Sequence, residues 1–92
     1  MRKLSEIKGE EALDVLAEIL VPIVEIANDE EVREGMEKNV AKCVSIALKK
    51  HKAEVMDILR AIDGKEPDVD LLTLPVILME IFSEPAVQSL FR

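Results

Sequence analysis

The sequence contains neither Trp nor Tyr, and its two aromatic residues are Phe82 and Phe91. Aliphatic side chains must therefore fill any interior. Gly and Pro are also few, at three and four residues, and no alternating apolar–polar run predicts a strand. Ala, Leu, Glu, Lys, Met and Ile dominate instead, and these residues favour helices. We expect an all-α fold, a compact bundle of four to six helices without a sheet, as a single domain over 1–92.

Long apolar runs and disulfide partners are missing as well. No run reaches the roughly 18 apolar residues of a membrane span, because Pro22, Glu25 and Asp29 interrupt the first candidate. No apolar run with a small-residue cleavage site follows the N-terminal basic residues, so we expect no signal peptide. The lone Cys43 excludes an internal disulfide. These features predict a protein of a reducing cytoplasm, with no membrane partner.

Residues that could carry chemistry are scarce. Cys43 and the only histidine, His51, are eight positions apart on a predicted helix, about 12 Å along its axis, and cannot form a dyad within it. We expect Cys43 to be a small buried residue and His51 a structural or helix-end residue. The carboxylate row Glu10, Asp14 and Glu18 fits a solvated helix face better than a metal site. With no phosphate loop, Cys/His metal spacing or nucleophile motif, the sequence predicts no enzyme, no metal and no cofactor.

The net charge of −7 is unevenly distributed. Residues 1–37 carry four basic and eleven acidic side chains, residues 38–53 carry five Lys and no acid, and residues 54–92 carry three basic and eight acidic side chains. The acidic total disfavours nucleic-acid binding, although the Lys38–Lys52 segment keeps a DNA-binding regulator open as a minor alternative. The simpler reading is that these lysines offset the acidic flanks within the fold.

Capping and helix-breaking residues divide the chain into predicted helices. Ser5 can cap a first helix, although Gly9 allows a later start, and Pro22 predicts a kink or break before a short segment to Ala27. Asn28 or Asp29 can cap a helix over 30–37. An apolar stripe then continues to Ile62, with a break at 51–52 left undecided, and Gly64 ends it. After a loop over 65–70, Thr73 can cap a helix over 74–82, and a last short helix runs from 85 to about 90.

Two segments have more apolar surface than one small helical domain needs. Between Ala12 and Ala27, Asp14, Glu18 and Glu25 fall on one narrow stripe at about 100° per residue. The rest of that circumference is apolar: Leu13, Val15, Leu16, Ile19, Leu20, Val21, Ile23, Val24 and Ile26. In Leu71–Phe82, Glu80 is the only charged residue. Helices that are apolar most of the way round are either central or covered by a partner, so we expect an interaction protein.

The chain resembles a known family in three segments. These are LSEIKGEEAL at 4–13 with VLAEIL at 15–20 and PI at 22–23; ALKKHKAEV at 47–55 with ILRAIDG at 58–64; and LTLP at 72–75 with IF at 81–82, EP at 84–85 and LF at 90–91. They are similar to the small tail assembly chaperones of long-tailed phages and prophages of Gram-positive bacteria. The resemblance implies a helical chaperone that binds and solubilises the long tape-measure protein during tail assembly.

The expected binding surface combines both apolar segments. On the first helix it comprises Leu13, Leu16, Leu20 and Ile23, and on the later helix Ile77, Leu78 and Ile81. Sequence alone does not separate core from interface among these residues. The main alternative is a homo-oligomeric helical adaptor or regulator that buries its apolar surplus against itself, and self-association is expected in either case.

Overall fold

The computed structural model describes residues 6–64 and 71–91, which form six α-helices and no strand. They are α1 (Glu10–Ala27), α2 (Glu30–Lys38), α3 (Val40–Lys50), α4 (Lys52–Asp63), α5 (Leu74–Ser83) and α6 (Pro85–Gln88), followed by a 3-10 helix over Ser89–Phe91. The predicted all-α class is confirmed. The expected Ser5 cap and the loop over 65–70 lie outside the described residues.

The helix ends follow local sequence signals. Asp29 caps α2, its Oδ1 accepting the Glu31 backbone N–H at 2.9 Å. Asn39 caps α3 in the same way, its Oδ1 accepting the Lys42 N–H at 2.7 Å. Gly64 ends α4 in the left-handed conformation (φ 74°), which favours glycine. The sequence leaves a break at 51–52 undecided, and the structure shows that it occurs: α3 ends at Lys50, α4 begins at Lys52, and His51 alone joins them.

The sequence predicts a kink or a break at Pro22, and the break is wrong. Helix α1 continues through this residue from Glu10 to Ala27. Proline removes one amide donor from the helix, but Pro22 is itself buried and is followed by the core residues Ile23 and Ile26. Ile19, on the N-terminal side of the proline, also packs against the core. Packing on both sides of the proline therefore holds one helix together.

The core lies where five of the helices and the 3-10 helix meet. α1 packs along α4, α2 and α3 form a hairpin around Asn39, and α5 packs on α3. The C-terminal 3-10 helix returns to α1 and α2, and there Phe91 meets Phe82 edge to face with ring centroids 5.8 Å apart. The buried apolar residues form one cluster: Ile23, Ile26, Ala27, Val32, Cys43, Val44, Ala47, Val55, Ile58, Leu59, Ile62, Ile77, Leu78, Ile81, Phe82 and Phe91.

The α2–α3 hairpin depends on a close helix contact at Gly35. A Cβ atom placed on this residue would lie 2.8 Å from Cδ1 of Ile46 and 3.3 Å from the backbone of Cys43. Glycine weakens helices, yet here its missing side chain lets the two backbones approach. Cys43 is fully buried at this contact, as predicted, and burial raises the pKa of its thiol to about 11.

Candidate interaction surfaces

Helix α1 has two apolar faces, and only one of them meets the core. Ile23, Ile26 and Ala27 are buried. The other face is exposed to solvent: Leu13 is 68% exposed, Leu16 49% and Leu20 40%. Val21 and Val24 continue this face toward the C-terminal end of the helix. We call Leu13, Leu16, Leu20, Val21 and Val24 the α1 stripe.

An acidic edge borders the α1 stripe. Asp14, Glu18 and Glu25 are all exposed, and helical geometry places the three on one side of the apolar residues. Among the described residues, none of the three carboxylates takes part in an ion pair. The stripe and its edge together present an apolar surface with a negative margin.

Four of the seven expected binding residues belong to the core instead. Ile23 is 1% exposed, Leu78 1% and Ile81 4%, and Ile77 is also buried. The difference has a simple cause: these side chains already pack against other helices of the same chain, so little of their apolar area remains for a partner to cover. Leu13, Leu16 and Leu20 lie on the surface, and their role in binding stays a prediction.

The second apolar segment exposes residues other than the expected ones. Leu71 and Leu72 are almost fully exposed, and Val76 is 56% exposed on the outer face of α5. The surplus of apolar residues over 71–82 was the sequence signal for such a surface. Periodicity does not show which face of α5 meets α3, so the sequence-based prediction names the inner face.

An open apolar groove of about 540 Å³ lies between α3 and α5. Two lysines, Lys49 and Lys52, stand at its edge. It is lined by residues of both helices: Ala41, Val44, Ser45 and Leu48 from α3, with Leu74, Pro75, Leu78 and Met79 from α5. We call this feature the α3–α5 groove.

A polar cluster around Asp29 ties α2 to the α3–α4 junction. Nε2 of His51 and Nζ of Lys50 each lie 2.8 Å from Oδ2 of Asp29, and Lys50 also pairs with Glu31 at 3.0 Å. The Lys50 ammonium, followed by the His51 ring, holds the pKa of the Asp29 carboxyl well below its usual range. His51 is thus a helix-end residue, as predicted. Lys50, one of the five lysines in residues 38–53, therefore pairs with acidic residues of the same chain. This is the role expected if these lysines offset the acidic flanks.

Within residues 6–64 and 71–91, no group of three or more His, Cys, Asp or Glu side chains could hold a metal ion. No single helix of this part of the chain is long and apolar enough to cross a membrane. Leu74–Ser83 and Pro85–Phe91 reach that length and hydropathy only together, and they are bent by 69° at their junction.

Comparison with protein-family models, curated proteins and solved structures gives no match.

Proposed function

We propose that this chain is a tail assembly chaperone, an interaction protein and not an enzyme, which binds the tape-measure protein and keeps it soluble in the host cytoplasm. The observation that carries the proposal is the exposed α1 stripe. Three leucines one turn apart on a well-formed helix, each at least 40% exposed, fit the apolar face of a partner helix. The family resemblance of the sequence supplies the identity of that partner.

The acidic edge is consistent with keeping a tape-measure protein soluble. A long helical client with apolar faces aggregates until those faces are covered. The α1 stripe would cover such a face, while Asp14, Glu18 and Glu25 remain in water beside it. A net charge of −7 on each bound copy would keep the complex in solution through mutual repulsion.

Co-expression with the longest neighbouring open reading frame tests the proposal. The long product should remain in the supernatant and elute with several copies of this chain. Leu16→Asp should abolish both effects while the circular dichroism spectrum stays helical, because Leu16 lies outside the core. Ala86→Asp is the matched control, since it adds a carboxylate at an exposed position of α6.

Two results would reject the proposal. In the first, the long product remains insoluble beside the wild-type chain. In the second, Leu16→Asp and Leu13→Asp both retain the client as well as wild type does. A fixed oligomer of this chain with no effect on the long product would favour the homo-oligomeric adaptor.

A further inference from the structure

Two apolar surfaces of this chain are uncovered, and they lie on different helices. The α1 stripe projects from a helix that packs mainly on α4, whereas the α3–α5 groove is formed by two other helices. The exposure of Leu13, Leu16 and Leu20 shows that the groove of the same chain does not cover the stripe. Any contact between the two surfaces must therefore join different copies.

The margins of the two surfaces carry opposite charge. Asp14, Glu18 and Glu25 border the stripe, and Lys49 and Lys52 border the groove. All five side chains are exposed, and none forms an ion pair within the described residues. Lys50, in contrast, is held by Asp29 and Glu31 and is not available. The charge pattern gives the stripe and the groove an attraction that two stripes or two grooves would lack.

The three leucines of the stripe and the α3 side of the groove are similar in length. Leu13 to Leu20 and Ala41 to Leu48 each span seven helical steps, or about 10 Å at roughly 1.5 Å per residue. In the groove lining, Ala41 and Ser45 stand one turn apart on α3. Their small side chains leave room for another helix to approach closely, as at Gly35 within the chain.

We propose that the α1 stripe of one copy docks in the α3–α5 groove of a second copy. The contact is heterologous, since each copy contributes a different surface and keeps its other surface open. Association therefore continues into an open chain or closes into a ring, and it does not stop at a symmetric dimer. This contact goes beyond the proposed function, because it involves only this chain and needs no tape-measure protein.

Sedimentation of the purified chain over a range of concentrations is the first test. The weight-average mass of wild type should rise with concentration, and added salt should weaken the association because the margins are charged. Leu16→Asp should remove the association from the stripe side. Ala41→Glu/Lys49→Glu should remove it from the groove side, by filling the groove and repelling the acidic edge.

Each variant has a matched control. Ala86→Asp matches the stripe variant and should associate like wild type. Lys38→Glu/Ala53→Glu matches the groove variant: Ala53 and Ala41 are both exposed second residues of a helix, and Lys38 and Lys49 both lie in a last turn. Circular dichroism checks folding, and Leu13→Asp replaces Leu16→Asp if that variant loses helicity.

Mixing the two defective variants decides between heterologous and symmetric contacts. The groove variant keeps an intact stripe and the stripe variant keeps an intact groove, so an equimolar mixture should form a one-to-one dimer and nothing larger. A wild-type chain that stays monomeric at every concentration would overturn the inference. So would a mixture that stays monomeric while wild type associates, because one intact stripe and one intact groove should suffice for a dimer. Association of either variant alone would also overturn it, because that result assigns the contact to two like surfaces. The co-expression experiment measures tape-measure binding separately. Because the client would use the same α1 stripe, the variant that keeps this stripe, Ala41→Glu/Lys49→Glu, distinguishes the two proposals: it should keep the long product soluble although it does not self-associate.

Discussion

The Nε2–H of His51 donates to Oδ2 of Asp29 across 2.8 Å, although 22 positions separate the two residues in sequence. An ionised carboxylate only accepts hydrogen bonds, so the proton belongs to the imidazole nitrogen. Oδ1 of the same carboxylate caps α2 through the Glu31 amide. One side chain therefore both begins a helix and fixes the junction between two others.

This arrangement makes stability depend on acid pH through Asp29. The Lys50 and His51 contacts lower the pKa of this carboxyl in the folded protein, whereas an unfolded Asp has a pKa of about 3.9. The unfolded chain therefore binds the proton first, and the stabilisation is complete above that value and declines as the pH falls below it. In urea titrations, the stability difference between wild type and Asp29→Asn should be largest near neutral pH and shrink in acid.

Asp57→Asn is the matched control for Asp29→Asn. Asp57 pairs with Arg60 at 3.1 Å on an exposed helix face, and such pairs contribute little to stability. Its effect should be small across the whole pH range. A difference between wild type and Asp29→Asn that stays constant from neutral pH into acid would contradict the assigned role of the Asp29 charge.

Gly35→Ala should destabilise the α2–α3 hairpin despite the better helix propensity of alanine. The propensity gain of about 1 kcal/mol is opposed by overpacking that typically costs 1–3 kcal/mol, so we expect a net loss of about 1 kcal/mol. Ile46→Val removes the Cδ1 atom that would lie 2.8 Å from the new Cβ. In urea unfolding, Ile46→Val should lower the free energy of unfolding less in the Gly35→Ala variant than in wild type. Additive effects of the two changes would show that the contact is not the cause.

Phe91 should contribute strongly to stability although it lies near the C-terminal end of the chain. It is 4% exposed and packs edge to face on Phe82. Phe91→Ala should lower the free energy of unfolding by about 3 kcal/mol, in the range for buried aromatic side chains. The neighbouring Leu90→Ala is the control and should cost much less, because Leu90 is 38% exposed. Similar losses for both variants would contradict the docking of the 3-10 helix.

Cys43 should be almost inert in the folded protein. Thiol reagents attack the thiolate, and burial both blocks access to Cys43 and raises its pKa to about 11. A chromogenic disulfide reagent at mildly alkaline pH should therefore react very slowly with native protein and rapidly in urea. Equally fast reaction in both conditions would place the thiol at the surface.

Much of this fold could be predicted from local sequence signals. The cap at Asp29 and the stop at Gly64 depend on residues within one turn of each helix end. The start of α5 at Leu74 is also where the sequence predicts it, although the Thr73 side chain forms no cap hydrogen bond there. Most residues of the apolar stripe that ends at Ile62 are buried in the core, Val44, Val55 and Ile58 among them, because helical periodicity is local. The break predicted at Pro22 is wrong because the packing that holds α1 across this residue comes from elsewhere in the chain.

The surfaces were harder to predict than the helices. Periodicity identifies residues that share a face, but it does not show which of two apolar faces meets the core. On α1, Leu16 is 49% exposed whereas Ile23 is 1% exposed. Nothing in the local sequence of the two residues predicts this difference. The Asp29–His51 contact and the close approach at Gly35 are likewise tertiary features. They become visible only when α2 and α3 are placed together.

The contacts of Asp29 have a consequence for how the native protein opens. Amide hydrogens exchange with solvent through local openings, and elements held by the same contacts open as one unit. Breaking the Asp29 carboxylate contacts frees the first turn of α2 and the α3–α4 junction together. The Glu31 amide and the amide of Val55, which donates to the His51 carbonyl at 3.0 Å, should therefore share one exchange free energy. In Asp29→Asn, the protection of both should fall by a similar factor, although they lie on different helices.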